Sequence, residues 1–163
     1  MKKNNLFRLV IGLILSVFLG QSPLALAHGD EQHSTEPSLF IGMELAPAKV
    51  VKAFHQALRS GDTQGVSLAL ASDVLIYEGG KAERSLAEYA SHHLQADMAY
   101  LKGLTVTTKE QQVRIMGDMA ISTAISHSKG EFKGKAVDST GMETLVLAKQ
   151  ADGSWKIVHI HWS

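Results

Sequence analysis

Five side chains of this chain could do chemistry together: Glu78, His93, Asp97, His127 and Glu143. Imidazole beside carboxylate is what proton transfer requires. One group titrates near neutral pH, and its partner fixes the tautomer. His93 and Asp97 are four residues apart, which places them on one face of a helix. The rest of that face, Leu86, Ala90, Leu94, Met98 and Leu101, is apolar. His93, His127 and Asp97 are therefore the candidate catalytic groups. Glu78, His93, His127, Glu143 and Trp162 are the candidate ligand contacts, with Trp162 as an aromatic wall. These residues lead to a binding pocket for a small molecule. The alternatives are an acid–base enzyme using a pocket histidine, or a dimeric interaction module whose contacts are made by the sheet face containing His159 and His161.

The remaining histidines carry less. His159 and His161 alternate onto one face of a strand. Two imidazoles can share an ion, but Thr144 and Ser126 are poor candidates for a third ligand, so the pair is assigned to a subunit interface. No metal or other cofactor is expected. His55 and His92 are assigned to helix rims or the surface. His28 and His33 could chelate copper at a processed N-terminus, although in a polar leader such spacing is usually incidental.

Positioning these residues requires helices first and strands afterwards. Pro47 suits a first helical turn, and Val50, Val51, Phe54, Ala57 and Leu58 follow at helical spacing. Gly61 ends that helix, and Asp62-Thr63 opens a second through Leu70. Val74–Glu78 reads as a strand broken by Gly79-Gly80. Ser85-Leu86-Ala87-Glu88 is a capping box opening a third helix to about Leu101. Strands then run over Leu104–Met116, Met119–Phe132, Val137–Lys149 and from Ser154 to the end. The order predicts an α+β domain: three N-terminal helices packed on a curved antiparallel sheet.

Turn chemistry sets the register. A two-residue Asp152-Gly153 loop pairs Glu143 with Trp162 and Leu145 with Ile160. Centring the preceding turn on Lys135 pairs His127 with Glu143. Gly117-Asp118 pairs Thr123 with Gln112 and Ile121 with Arg114. One face then carries Gln112, Arg114, Ile121, Thr123, Ile125, His127, Glu143, Leu145, Val158, Ile160 and Trp162. Being the bulkier set, it is placed under the helices.

Residues 1–27 have the three parts of a secretory signal peptide: Lys2, Lys3 and Arg8, an apolar run from Leu9, and Ala25-Leu26-Ala27. The run is shorter than the ~20 residues of a membrane span. Cleavage would leave 13 Lys and Arg against 16 Asp and Glu in a periplasmic or secreted protein with no membrane attachment. No basic patch suggests nucleic acid. There is no cysteine, which excludes disulfides and thiol catalysis. Residues 28–46 read as a flexible leader, of which Leu39, Phe40, Ile41 and Met43 could dock on the domain. Residues 47–163 form a single domain.

The stretches Ala57-Leu58-Arg59-Ser60-Gly61-Asp62, Ile115-Met116-Gly117-Asp118, Gly141-Met142-Glu143-Thr144 and Asp152–His161 resemble the nuclear transport factor 2-like superfamily. Within it the chain is similar to SnoaL-like domains (cystatin-like α+β) and to the association domain of calcium/calmodulin-dependent kinase II. The resemblance covers roughly residues 47–163. It implies a cone-shaped domain with a ligand pocket, forming a homodimer through the sheet face. It matches Glu78 to a strand-end glutamate of the association domain. His127, Leu145 and Trp162 fall where that domain carries pocket arginines, so its preference for carboxylates is not implied here. Ketosteroid isomerases and polyketide cyclases share the scaffold and use a pocket Asp or His as base, but no residue-by-residue match to their motifs is present.

Overall fold

A computed structural model describes residues 38–163. The expected signal peptide and residues 28–37 of the leader lie outside the described residues. Leu39–Met43 do meet the domain: β1 (Phe40–Ile41) pairs in parallel with β4 (Leu104–Met116), Phe40 lying beside Gln111. Gly42 then turns the chain at φ 72°, and a Cβ there would lie 2.3 Å from the Val113 carbonyl oxygen. Only glycine fits both constraints.

Helix α1 (Ala46–Ser60) starts with Pro47 in its first turn and stops at Gly61, which is left-handed at φ 75°. Asp62 accepts from the Gly65 amide at 2.9 Å and so caps α2 (Thr63–Ala69). β2 (Leu70–Glu78) hairpins into β3 (Lys81–Glu83), a strand of three residues that the sequence reading missed. Gly79 and Gly80 both have positive φ, the requirement of a tight hairpin turn.

The expected third helix is two helices, α3 (Leu86–His92) and α4 (Leu94–Lys102), bent at His93. Ser85 caps α3 by accepting from Glu88 N, while the Glu88 carboxylate reaches the Arg84 amide. The inward residue of α3 is Tyr89, which is fully buried; Ala90, expected inside, is exposed.

β5 (Met119–Phe132), β6 (Lys135–Lys149) and β7 (Trp155–Trp162) complete a seven-stranded sheet in the order β1-β4-β5-β6-β7-β2-β3. The α+β class stands as expected. The sheet is mixed and not wholly antiparallel, because β1 joins β4 and β2 joins β7 in parallel. The core packs Val51, Phe54 and Leu58 of α1 with Leu145, Leu147, Ile157 and Ile160 of the sheet. Each such side chain contributes about 1.5–3 kcal/mol on burial.

Two registers were read correctly and one was not. Arg114 faces Ile121, and Glu143 faces Trp162, as expected. Between β5 and β6, however, the turn is Lys133-Gly134, with Phe132 paired to Lys135. Lys133 takes a left-handed φ of 52°, which a lysine seldom adopts. That odd-numbered slip moves every β5 side chain, and those of β4 from Glu110 onward, to the other face. A bulge between Thr108 and Glu110 keeps Val106 and Thr108 on the concave side. Ala120, Ser122 and Val113 point under the helices, whereas Ile121, Thr123, Ile125 and His127 point away. A bulge between Val146 and Leu147 also turns Ile157 inward in place of Val158.

Candidate functional site

The slip has a direct consequence for the concave face. At the wide end of the sheet, the inward residues of β5 and β6 are small: Ala124, Ser126, Ser128, Ser139 and Gly141. None can reach the helices, so a cavity of 470 Å³ remains, with Leu58, Leu101, Val106 and Trp162 among its apolar walls. That volume suits a small-molecule ligand.

Glu143 is the centre of the polar part. Its Oε2 accepts from Trp162 Nε1 at 2.8 Å and from His55 Nε2 at 2.8 Å. An ionised carboxylate only accepts, so His55 carries its proton on Nε2. Trp162 is held in turn by stacking on Phe54, with centroids 6.3 Å apart and planes inclined by 6°. The other carboxylate oxygen, Oε1, is sealed from water and has no hydrogen-bond partner among the described residues. Leaving such an acceptor bare costs about 1–3 kcal/mol.

Asp97 enters from α4. Its Oδ2 accepts from the Tyr89 hydroxyl at 2.8 Å. Burial raises the Asp97 pKa above the ordinary carboxylate range, against the lowering effects of the Tyr89 bond and nearby His93. Burial beside the Asp97 carboxylate also pushes the Tyr89 phenol far up, so it stays a donor at any physiological pH. Glu78 stands at the exposed rim, its pKa raised by partial desolvation and then by Asp97. Arg59 and His55 are the cation-capable side chains on the lining.

Of the residues expected in the site, Glu78, Asp97, Glu143 and Trp162 do line one cavity. His93 does not. Its Nδ1 meets Glu83 Oε1 in a separate crevice between β3 and α3, which Glu78 also borders. His127 is a correction: it lies across from Thr140, not Glu143, and bonds to the exposed Asp138 Oδ1 at 2.7 Å on the outer face. The Lys133-Gly134 turn put it there. The histidine of the cavity is His55, which the sequence reading left on a helix rim. The available signal was its place at the edge of the apolar stripe, next to Phe54 and three residues before Leu58. His159 and His161 alternate with buried Ile160 onto the outer face, where His159 meets Tyr77 at 5.5 Å between rings.

The SnoaL-like domain family matches residues 48–163. A candidate ketosteroid isomerase from Shewanella frigidimarina is similar at 64% identity, over 76% of this chain and 99% of that one, with a TM-score of 0.75. The CaMKII hub of S. rosetta is similar at 25% identity, over 72% and 93% of the two chains, with a TM-score of 0.61. A candidate dehydratase of the NTF2-like family from Streptomyces avermitilis shares the fold at 18% identity, over 72% and 93%, with a TM-score of 0.59. No curated protein matches the chain.

Proposed function

Given that this chain belongs to the SnoaL-like domain family, we propose that its cavity binds a small, partly apolar molecule that presents an N–H or O–H donor to Glu143. The observation that carries this reading is that Glu143 lines the cavity with Oε2 held by His55 and Trp162 and with Oε1 a buried acceptor lacking a partner among the described residues, which a ligand donor reaches by displacing part of the lining. Apolar walls supply affinity, and the single unsatisfied acceptor supplies orientation. Three carboxylates on the lining, Glu78, Asp97 and Glu143, favour amines and alcohols over acids. A thermal-shift screen with size-matched amines, alcohols and carboxylic acids tests this. Amines or alcohols should raise Tm, and Glu143→Gln should remove the rise. Equal stabilisation by acids, or hits indifferent to Glu143→Gln, would overturn the reading.

A second reading, proton transfer next to a carbonyl, has a specific observation behind it. Asp97 faces the cavity with a raised pKa and a single fixed donor, Tyr89, which suits a general base. The relative described as a candidate ketosteroid isomerase supports trying enolisable ketones first. Turnover that Asp97→Asn abolishes, with KM little changed, would establish the enzyme. Turnover unaffected by that change would exclude Asp97 as the base.

The same proposal includes export and pairing. The basic start, apolar run and Ala25-Leu26-Ala27 support a cleaved signal and a periplasmic or secreted domain. Among the described residues, no helix is long and apolar enough to cross a membrane. The outer sheet face exposes Leu75 (39%) and Tyr77 (45%) beside His159, an apolar patch suited to a second copy of the chain. The similarity to a CaMKII hub supports self-assembly.

A further inference from the structure

Away from the cavity, β3 and α3 bring together residues that the sequence keeps apart. Glu83 ends β3, while Glu88 and His92 are four residues apart and share a face of α3. One ligand atom from each of the three lies within 4.8 Å of the others. We propose that Glu83, Glu88 and His92 bind a divalent first-row transition metal ion.

Glu83 carries the argument. Its side chain is only 7% exposed. One oxygen, Oε1, is engaged by His93 Nδ1. The other, Oε2, is sealed from water and accepts no hydrogen bond among the described residues. His92 Nδ1 lies 3.4 Å from it. A buried carboxylate oxygen normally has a partner. This one is aimed instead at a histidine and a second carboxylate.

The neighbours are arranged to share a cation with it. Glu88 is steadied by the Arg84 amide, which bonds one of its oxygens at 2.6 Å. Two carboxylates neutralise a dication, and one imidazole shifts the preference from calcium or magnesium toward first-row transition metals. Bond lengths of about 2.0–2.2 Å require the ligand atoms to close in on an ion. Glu83 is the fixed anchor, while half-buried Glu88 and exposed His92 have room to move. His93 is a positioning residue here, orienting Glu83 from behind as outer hydrogen bonds to metal ligands do. This reading departs from the expectation of a metal-free chain, because only the fold joins Glu83 to the Glu88–His92 pair. The ion would clamp β3 to α3, the helix whose Tyr89 hydroxyl holds Asp97 of the cavity lining.

Equilibrium dialysis of the full chain against Zn2+ tests the site. Substituting His28→Ala and His33→Ala removes any contribution from the leader. In that background one equivalent of Zn2+ should bind, and His92→Ala and Glu83→Gln should each weaken it at least tenfold. Zn2+ should also raise Tm in the parent and not in His92→Ala. His92 is exposed, so its loss should leave the fold intact even where Glu83→Gln does not. Absence of saturable Zn2+ binding in this background, or binding unchanged by His92→Ala, would overturn the proposal.

Discussion

The concave face of the sheet is solid at one end and hollow at the other. At the narrow end Leu145, Leu147, Ile157 and Ile160 are all fully buried against Phe54 and Val51. At the wide end β5 and β6 present Ala124, Ser126, Ser128 and Gly141, which leave a cavity beneath the helices. The backbone is continuous across both ends, so side-chain size alone sets where core stops and pocket begins. Glu143 and Trp162 stand at that boundary, where a polar group is held rigidly on the cavity lining.

The sharpest way to test this division is to exchange the two ends. At the solid end, Leu145→Ala leaves a void that close-packed neighbours cannot collapse into, and should cost about 2–5 kcal/mol of unfolding free energy. Denaturant melts measure this directly. At the hollow end, Ser126→Phe adds bulk where room exists. Its stability should change by less than about 1.5 kcal/mol, while any ligand found by thermal shift loses its site. A large loss of stability from Ser126→Phe would mean that the wide end is packed after all.

The sequence made the scaffold legible and concealed the hollow. Pro47, Gly61, Asp62 and the Ser85 cap announced the helices, and period-two alternation announced the long strands. Glu143, Leu145, Ile160 and Trp162 were placed correctly because the three-residue loop Ala151-Asp152-Gly153 and the bulge after Val146 shift the register by one residue each and cancel. His127 was misplaced because one turn is built on Lys133 at positive φ, where composition points elsewhere. The rule that the bulkier face is the core then compounded the error, since a pocket needs small residues inside. His55 and Glu143 are 88 positions apart, and only the fold brings them together.

A subtler contrast lies in pH. The side chains packed at the solid end are apolar, whereas the hollow end holds Asp97 and Glu78 with raised pKa values. Between the ordinary carboxylate range and the raised native value, the folded state binds more protons than the unfolded state. Stability contributed by these groups is therefore present at low pH and lost as pH rises through the native pKa. Asp97→Asn should flatten that decline, so the mutant gains on the wild type from about pH 4 toward pH 7. Paired melts at several pH values would show the difference. A mutant that instead falls behind as pH rises would contradict the burial of Asp97.

The smallest expected effect separates two histidines that sequence alone cannot rank. His55 is 28% exposed and bonded to a nearly buried carboxylate, whereas His127 pairs with the exposed Asp138 on the far side of the sheet. Water and salt screen the second pair, as they do most surface ion pairs. Asp138 is held below the usual carboxylate range by His127, so what stability the pair adds is lost as pH falls through that lowered value. His127→Ala should leave both the melting temperature at neutral pH and ligand-induced shifts at wild-type values. His55→Ala should diminish the shifts, because it frees the Glu143 carboxylate from the position that orients a ligand. If the two substitutions behaved alike, the division between the cavity and the outer face would have no functional meaning. Loss of binding through His127 alone would return the site to the face from which the Lys133-Gly134 turn removed it.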